Sequence, residues 1–137
     1  MKIFVDTGAF IALTDADDKN HKDAKTFYKD AAEKGARFIT SNFVVCETIN
    51  YLRAKVSHNV SVIFRENLKK SGIIEISTVS PFVEDMAFHI FKQYADKDFS
   101  FTDCTSFSIM KHLKLNKAFA FDKHFEQYGS FTKLPVD

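Results

Sequence analysis

The chain has 137 residues, of which 45% are hydrophobic, and a formal net charge of +1 at pH 7. This length and composition predict a single domain, residues 1–137, with enough apolar side chains to form a core. The near-neutral charge excludes a protein that holds long nucleic acids through a broad basic surface. Any contact with nucleic acid is therefore expected to be local.

Membrane-spanning and secreted classes are not expected. The apolar runs are far shorter than the roughly 18 residues that a membrane span requires, and the N-terminus leads directly into a strand rather than a leader peptide. We therefore expect a soluble, cytoplasmic protein with no membrane partner. Cys46 and Cys104 lack the spacing of a metal or redox site, and both are expected to be small core residues. Most of the sixteen Phe side chains are expected to be core packing, with a nucleic-acid stacking platform as the lesser alternative.

The first strand is predicted at residues 3–5, a continuous apolar run typical of a strand buried on both faces. It ends at Asp6 and Thr7, where a helix follows at once. After a polar turn and a second helix that ends near residue 34, the next strand is predicted at residues 37–41.

A helix from about residue 42 to residue 56 carries Glu47. Phe43, Glu47 and Tyr51 share one side of this helix by their spacing, and a carboxylate is out of place on such an apolar stripe unless it has a function. The alternative is that Glu47 lies at the edge of the buried face and extends its carboxylate into water.

The second half of the chain continues the alternation of helices and strands. A weakly patterned helix is followed by a strand at residues 73–76 and by a clearly amphipathic helix that begins at Ser80. A further helix carries Asp103 in its first turn, with apolar residues at helical spacing from Cys104 to Leu113. The apolar run at residues 118–121 predicts a strand that ends at Asp122, and residues 131–134 are expected to form a short edge strand.

Asp103 and Asp122 each have a purely structural interpretation. Ser100 and Asp103 have the spacing of a capping box, and Asp122 is placed to cap the helix that follows it. Taken alone, each of these interpretations is as good as a functional one.

Strands that alternate with helices predict a central, mainly parallel sheet between two helical layers, a three-layer α/β/α fold. Ligands of such sheets bind beyond the carboxyl ends of the strands. Asp6, Asp103 and Asp122 are all expected at that edge, and Glu47 can reach over it. Four carboxylates in one cleft repel one another, so the pattern favours a bound cation. All-oxygen ligands suit Mg²⁺ or Mn²⁺, and the absence of a Cys/His ligand set argues against zinc.

Together these motifs resemble the PIN domain family. The resemblance rests on Asp6-Thr7 after the first strand, Glu47 in the helix after Thr40-Ser41, Ser-Phe-Thr-Asp103-Cys, and Phe-Asp122-Lys-His-Phe. It extends over nearly the whole chain and is strongest to the small single-domain members, the toxin nucleases of VapBC-type toxin–antitoxin pairs.

The resemblance implies endoribonuclease activity that depends on Mg²⁺ or Mn²⁺, an RNA substrate, a small antitoxin protein that blocks the site, and often a homodimer. It also implies that Asp6, Glu47, Asp103 and Asp122 are the catalytic, metal-binding acids, with the Thr7 hydroxyl beside the first of them. The chain departs from the family at Ala120, where many members have Ser or Thr, and this departure affects how a water is positioned.

Three alternatives are open from the residues. A phosphatase or phosphotransferase of the haloacid dehalogenase type needs a second Asp where this chain has Gly8. A receiver-type phosphoacceptor needs a Lys at the end of a late strand, and Lys123 follows Asp122 instead. A non-catalytic PIN-like scaffold that binds RNA or protein typically lacks some of the acids, whereas this chain has all four.

Overall fold

Five short strands form one sheet at the centre of the protein. They are β1 Lys2–Val5, β2 Arg37–Ser41, β3 Ile74–Ser77, β4 Lys117–Phe119 and β5 Thr132–Leu134. They are ordered β3-β2-β1-β4-β5, and every neighbouring pair is parallel. The computed structural model describes residues 1–136, so Asp137, the last residue of the predicted domain, lies outside the described residues.

Helices connect these strands and flank the sheet, as the sequence pattern predicts. In the described part of the chain they are α1 Thr7–Thr14, α2 His21–Glu33, α3 Asn42–Lys55, α4 His58–Lys70, α5 Pro81–Gln93, α6 Phe101–His112 and α7 His124–Tyr128. Within residues 1–136, none of the helices has the length and apolar character needed to cross a bilayer.

The centre of the sheet is buried on both faces. Ile3, Phe4 and Val5 of β1 are at most 1% exposed, because β1 lies between two neighbours. Phe4 is in register with Ile39 on one side and with Ala118 on the other. The continuous apolar run of the first strand is therefore explained by burial in a parallel sheet.

The strand order reverses between β1 and β4. The chain moves from β1 outward through β2 to β3, and then returns to the opposite side of β1 for β4. In open α/β sheets, the crevice at such a reversal is where ligands bind. Asp6 directly follows β1, and Asp122 lies three residues after the end of β4, so both flank this crevice.

Serine side chains define the starts of four helices. Each accepts a hydrogen bond from the backbone N–H three residues later, at 3.0–3.2 Å. This contact pairs an N–H that a helix start otherwise leaves without a partner. The four serines are Ser41, Ser57, Ser80 and Ser100.

An aromatic cluster around Phe107 joins α6 to the end of the chain. The fully buried Phe107 ring lies 4.5 Å from the Tyr128 ring, 5.2 Å from Phe125, 5.0 Å from Phe99 and 6.0 Å from Phe131, measured between centroids. Such aromatic pairs add to the stability that burial alone provides. The expectation that most Phe rings are core packing is confirmed for this cluster.

Two expectations about α3 are wrong. Cys104 is buried as expected, but Cys46 is exposed. The apolar stripe assigned to Glu47 also faces solvent: Glu47 is exposed and Tyr51 is 40% exposed. The reason is that α3 packs on the core through a different face, formed by Val44, Val45, Thr48 and Leu52.

Smaller differences concern the ends of elements. The last turn of α6 ends at His112, and Leu113 is 42% exposed. Strand β4 ends at Phe119, so the residues just before Asp122 form a loop rather than a strand. The predicted edge strand is confirmed as β5.

Candidate metal centre

Asp6 lies where β1 and β4 end together. Its backbone N–H donates to the Phe119 carbonyl at 3.0 Å, which extends the pairing of these strands by one residue. On the other side, the Thr40 hydroxyl donates to the Val5 carbonyl at 2.9 Å. Asp6 is only 3% exposed. The backbone therefore holds a buried carboxyl group at the carboxyl edge of the sheet.

Asp103 forms the capping box that its spacing predicts. The Asp103 N–H donates to Ser100 Oγ and the Ser100 N–H donates to Asp103 Oδ2, both at 3.0 Å. Asp103 is 7% exposed. The cap explains its conformation, but a cap alone does not require the carboxyl group to be buried beside other acids.

Asp122 makes a local contact, but it does not cap the helix that follows it. Its Oδ1 accepts a hydrogen bond from the His124 N–H at 2.9 Å, just before α7. Yet Asp103, Asp122 and His124 each offer a ligand atom within 4.8 Å of the others. Lys123 is the N-cap residue of α7, and no side chain caps this helix. The capping box of Asp103 is therefore confirmed, the predicted cap at Asp122 is wrong, and the two carboxylates still meet in space.

The cluster has the electrostatics of crowded acids. Burial raises the pKa of Asp6 well above its usual value, and the charges of Asp122, Asp103 and Glu47 raise it further. Burial likewise raises the pKa of Asp103, although the Ser100 N–H and His124 act in the opposite direction. Both groups are costly to ionise in the folded chain, and a nearby cation would lower that cost.

Glu47 and Thr7 occupy the margin of the cluster. Glu47 is exposed on α3, but it is near enough for its charge to raise the pKa values of both Asp6 and Asp103. The Thr7 hydroxyl is buried and has no hydrogen-bond partner among the described residues. A buried hydroxyl without a partner is uncommon and suggests that another group belongs there.

The sequence interpretation missed His124 as a site residue. Its Nδ1 lies 2.8 Å from Asp103 Oδ2 and 3.6 Å from Asp122 Oδ1, without forming a well-directed hydrogen bond. Its ring packs edge-on against Phe99, with centroids 5.7 Å apart. The only signal in the sequence was its position two residues after Asp122.

The donor set fits a hard divalent cation. The buried carboxyl groups of Asp6 and Asp103, whose pKa values are raised, the exposed carboxylate of Asp122 beside Asp103 and the unpaired Thr7 hydroxyl all offer oxygen atoms, which Mg²⁺ and Mn²⁺ prefer. His124 adds one nitrogen. Within the described residues, Asp103, Asp122 and His124 form a group that is able to hold a metal ion. Asp6 and Glu47 are not part of this group, and the structure links them to it through the interaction of their charges.

Two cavities lie outside this cluster. A mostly apolar groove of about 720 Å³ is bounded by α1, α2 and α4, and its lining, as far as the chain is described, includes no acid. A second pocket, of about 530 Å³, lies beside the N-terminal half of α3 and includes Glu47. Only the second one adjoins the acids.

Comparison with known proteins identifies a family. The PIN domain family matches residues 3–130. The chain is 32% identical over 127 residues to the 23S rRNA-specific endonuclease VapC20 of Mycobacterium tuberculosis, which corresponds to 93% of this chain and 94% of that protein.

Solved structures agree with this result. The crystal structure of M. tuberculosis VapC20, described as a sarcin-ricin loop cleaving toxin, superimposes with a TM-score of 0.86 at 30% identity, covering 93% of this chain and 95% of that one. VapBC2 from Rickettsia felis, bound to a promoter DNA fragment, superimposes with a TM-score of 0.70 at 12% identity, covering 97% of both chains. FitAcB from Neisseria gonorrhoeae superimposes with a TM-score of 0.66 at 13% identity, covering 97% of this chain and 96% of that one. The last two likenesses concern the fold alone.

Proposed function

The chain belongs to the PIN domain family, and on that basis we propose that it is an endoribonuclease that depends on Mg²⁺ or Mn²⁺. The observation that carries this proposal is the group of acids at the strand-order reversal between β1 and β4, in which Asp6 and Asp103 are buried and Asp122 is exposed. Structural capping does not explain why two buried carboxyl groups from separate elements lie near enough to each other and to Asp122 for their charges to interact. The endonuclease relative supports RNA as the substrate class.

We assign the ion to Asp6, Asp103 and Asp122, with Glu47 reaching it from the exposed side of α3. When bound, such an ion activates a water molecule and stabilises the charge on the phosphodiester under attack. The four acids are the residues that we expect catalysis to require.

The remaining residues of the site would position these acids. Ser100 and His124 both contact Oδ2 of Asp103, so Oδ1 is the oxygen that we expect to face the ion. The buried Thr7 hydroxyl would hold a water or a phosphate oxygen. At Ala120, whose side chain is fully buried, no hydroxyl is present to do the same.

RNA cleavage tests this proposal directly. Purified protein is incubated with total bacterial RNA in Mn²⁺, in Mg²⁺ or in EDTA, and the new 5′ ends are mapped by sequencing. We expect discrete ends with a divalent ion and none in EDTA. RNA that stays intact in both ions would contradict the proposal and favour a non-catalytic scaffold that binds RNA or protein.

We further propose that the chain is a cytoplasmic toxin paired with a small antitoxin. The VapBC2 and FitAcB complexes resemble it in fold, and the relative VapC20 is described as a toxin. An inhibitor must neutralise an acidic cleft, so its tail is expected to offer Arg or Lys to these carboxylates, where charge-assisted hydrogen bonds are strong.

Expression in bacteria checks the toxin proposal. The chain alone should arrest growth, and co-expression of a small protein encoded beside it should relieve the arrest. Cells that express Asp6→Asn at the same level should grow normally. Normal growth with the wild-type chain would favour a housekeeping nuclease instead.

We also propose a homodimer, in keeping with the resemblance. Three rings of α5, those of Phe82, Phe88 and Phe91, are 43–61% exposed, and exposed apolar groups of this kind often mark an interface. Light scattering should give twice the chain mass of 15.7 kDa. The mass of one chain at micromolar concentration would contradict the dimer.

A further inference from the structure

The second cavity, here called the α3–α6 pocket, opens beside the metal centre. Its lining residues are Asn42, Phe43, Cys46, Glu47, Asn50 and Thr102, and its volume is about 530 Å³. Two of them connect it to the acids: the Glu47 carboxylate raises the pKa values of Asp6 and Asp103, and Thr102 directly precedes Asp103. A chain of nucleotides held at the acids would therefore pass this pocket.

One wall of the pocket is aromatic and held in place. The half-buried Phe43 ring packs against the Phe101 ring, with centroids 6.4 Å apart, and Phe101 packs edge-on against Phe91 at 6.0 Å. Beside them, Asn42 Oδ1 accepts a hydrogen bond from the Val79 N–H at 2.8 Å, which ties the start of α3 to the segment before α5. The ring of Phe43 is thus part of a preformed surface.

Another wall offers an amide group that the fold does not use. Asn50 is exposed, and its side chain makes one weak contact, from Nδ2 to Cys46 Sγ at 3.8 Å. A side-chain amide has two donors and an acceptor, which suits the edge of a nucleobase. The lining of the pocket includes no Lys or Arg, so the pocket offers no cation to pair with a phosphate. A base suits the pocket better than the backbone of RNA does.

We propose that the α3–α6 pocket binds an unpaired nucleobase of the RNA substrate, adjacent to the cleaved phosphodiester. Phe43 supplies the stacking surface, because aromatic rings stack on any base. Asn50 supplies the hydrogen bonds that distinguish one base from another, as single-stranded RNA is usually read. This inference rests on the proposed ribonuclease function. It makes Asn50 a determinant of base preference and Phe43 a determinant of RNA binding, and neither residue a catalytic one.

Cleavage of short RNAs tests the role of Asn50. The substrates are oligonucleotides that span a mapped cleavage site and carry each of the four bases in turn at the flanking positions. We compare their kcat/KM values. The wild type should prefer one base by about tenfold, and Asn50→Ala should lose that preference and still cleave. Asn59→Ala, an exposed amide on α4, is the matched control and should retain the preference.

The outcomes separate this inference from the function on which it rests. If the wild type cleaves RNA without a base preference, or if Asn50→Ala keeps the preference, the inference fails and the ribonuclease proposal survives. If the wild type cleaves no RNA, the proposed function fails and the inference fails with it.

Binding without cleavage tests the role of Phe43. A short RNA with 2-aminopurine at the flanking position is titrated with protein in EDTA, where stacking on an aromatic ring quenches its fluorescence. Phe43→Leu should bind about tenfold more weakly and lose the quenching, and a thermal melt checks that this variant is folded. Equal quenching by both proteins would overturn the inference. If the pocket binds a protein partner instead, Asn50→Ala keeps the base preference and Phe43→Leu keeps the quenching. That result also contradicts the inference.

Discussion

Asp103→Asn is expected to abolish metal-dependent RNA cleavage and, at the same time, to raise the melting temperature in EDTA. The amide oxygen of Asn can still accept the Ser100 N–H, so the helix cap survives. The ionised carboxylate, by contrast, is unfavourable in the metal-free fold, because burial and the charges of Asp122 and Glu47 raise the pKa of Asp103. Replacing it with a neutral group of the same shape removes that cost.

In Mn²⁺, the wild type should have a higher melting temperature than Asp103→Asn, the reverse of their order in EDTA. An ion present at 100 times its dissociation constant stabilises the wild type by about 2.7 kcal/mol through mass action, and the variant, with one ligand fewer, should gain much less. Thermal melts of both proteins, in EDTA and in Mn²⁺, measure this difference. Asp85→Asn, which removes an exposed carboxylate on α5, is the control. An Asp103→Asn protein that melts lower in EDTA and still cleaves RNA would show that Asp103 is only a cap.

Phe107→Ala is expected to lower the free energy of unfolding by about 3–5 kcal/mol, the usual cost of emptying a buried aromatic site. Phe107 is fully buried, and four aromatic rings pack around it. Denaturant titration in EDTA measures the loss without any contribution from the ion. Since a domain of this size is stable by only about 5–15 kcal/mol, the variant should be close to unfolding at growth temperature.

An exposed apolar residue away from α5 provides the control. Val62 is 41% exposed on α4, and Val62→Ala should change the free energy of unfolding by no more than about 0.5 kcal/mol. A loss below about 1 kcal/mol for Phe107→Ala would contradict the view that this cluster holds α6, and with it Asp103, against α7.

The sheet and its acids were predictable because short-range patterns specify them. A continuous apolar run identifies β1, and the carboxyl-edge rule then places Asp6 in the ligand-binding crevice. The capping box of Asp103 was also predictable, since it depends on a residue three positions away. The convergence of these acids followed from the parallel topology rather than from any single motif.

The environment of α3 was not predictable in the same way. Its sequence has apolar residues on more than one side, so spacing alone does not show whether the face with Val44 or the face with Phe43 is buried. Packing against α4 and α6 decides this, and it leaves Cys46 and Glu47 exposed. His124 was missed for a related reason: its approach to Asp103 depends on how α7 packs beside α6.

The central claim is that these acids bind a divalent ion that RNA cleavage requires, and a metal titration of the cleavage rate tests it most directly. Wild type, Asp6→Asn and Asp85→Asn are assayed with one RNA over increasing Mn²⁺ concentration. Each variant replaces one carboxyl group. The carboxyl group of Asp6 is buried at the site, and that of Asp85 is exposed on α5. We predict a rate that rises with Mn²⁺ for the wild type and Asp85→Asn, and a rate at least about a hundredfold lower for Asp6→Asn, since metal catalysis supplies several kcal/mol. Equal rates for the three proteins, or cleavage that persists in EDTA, would contradict the claim.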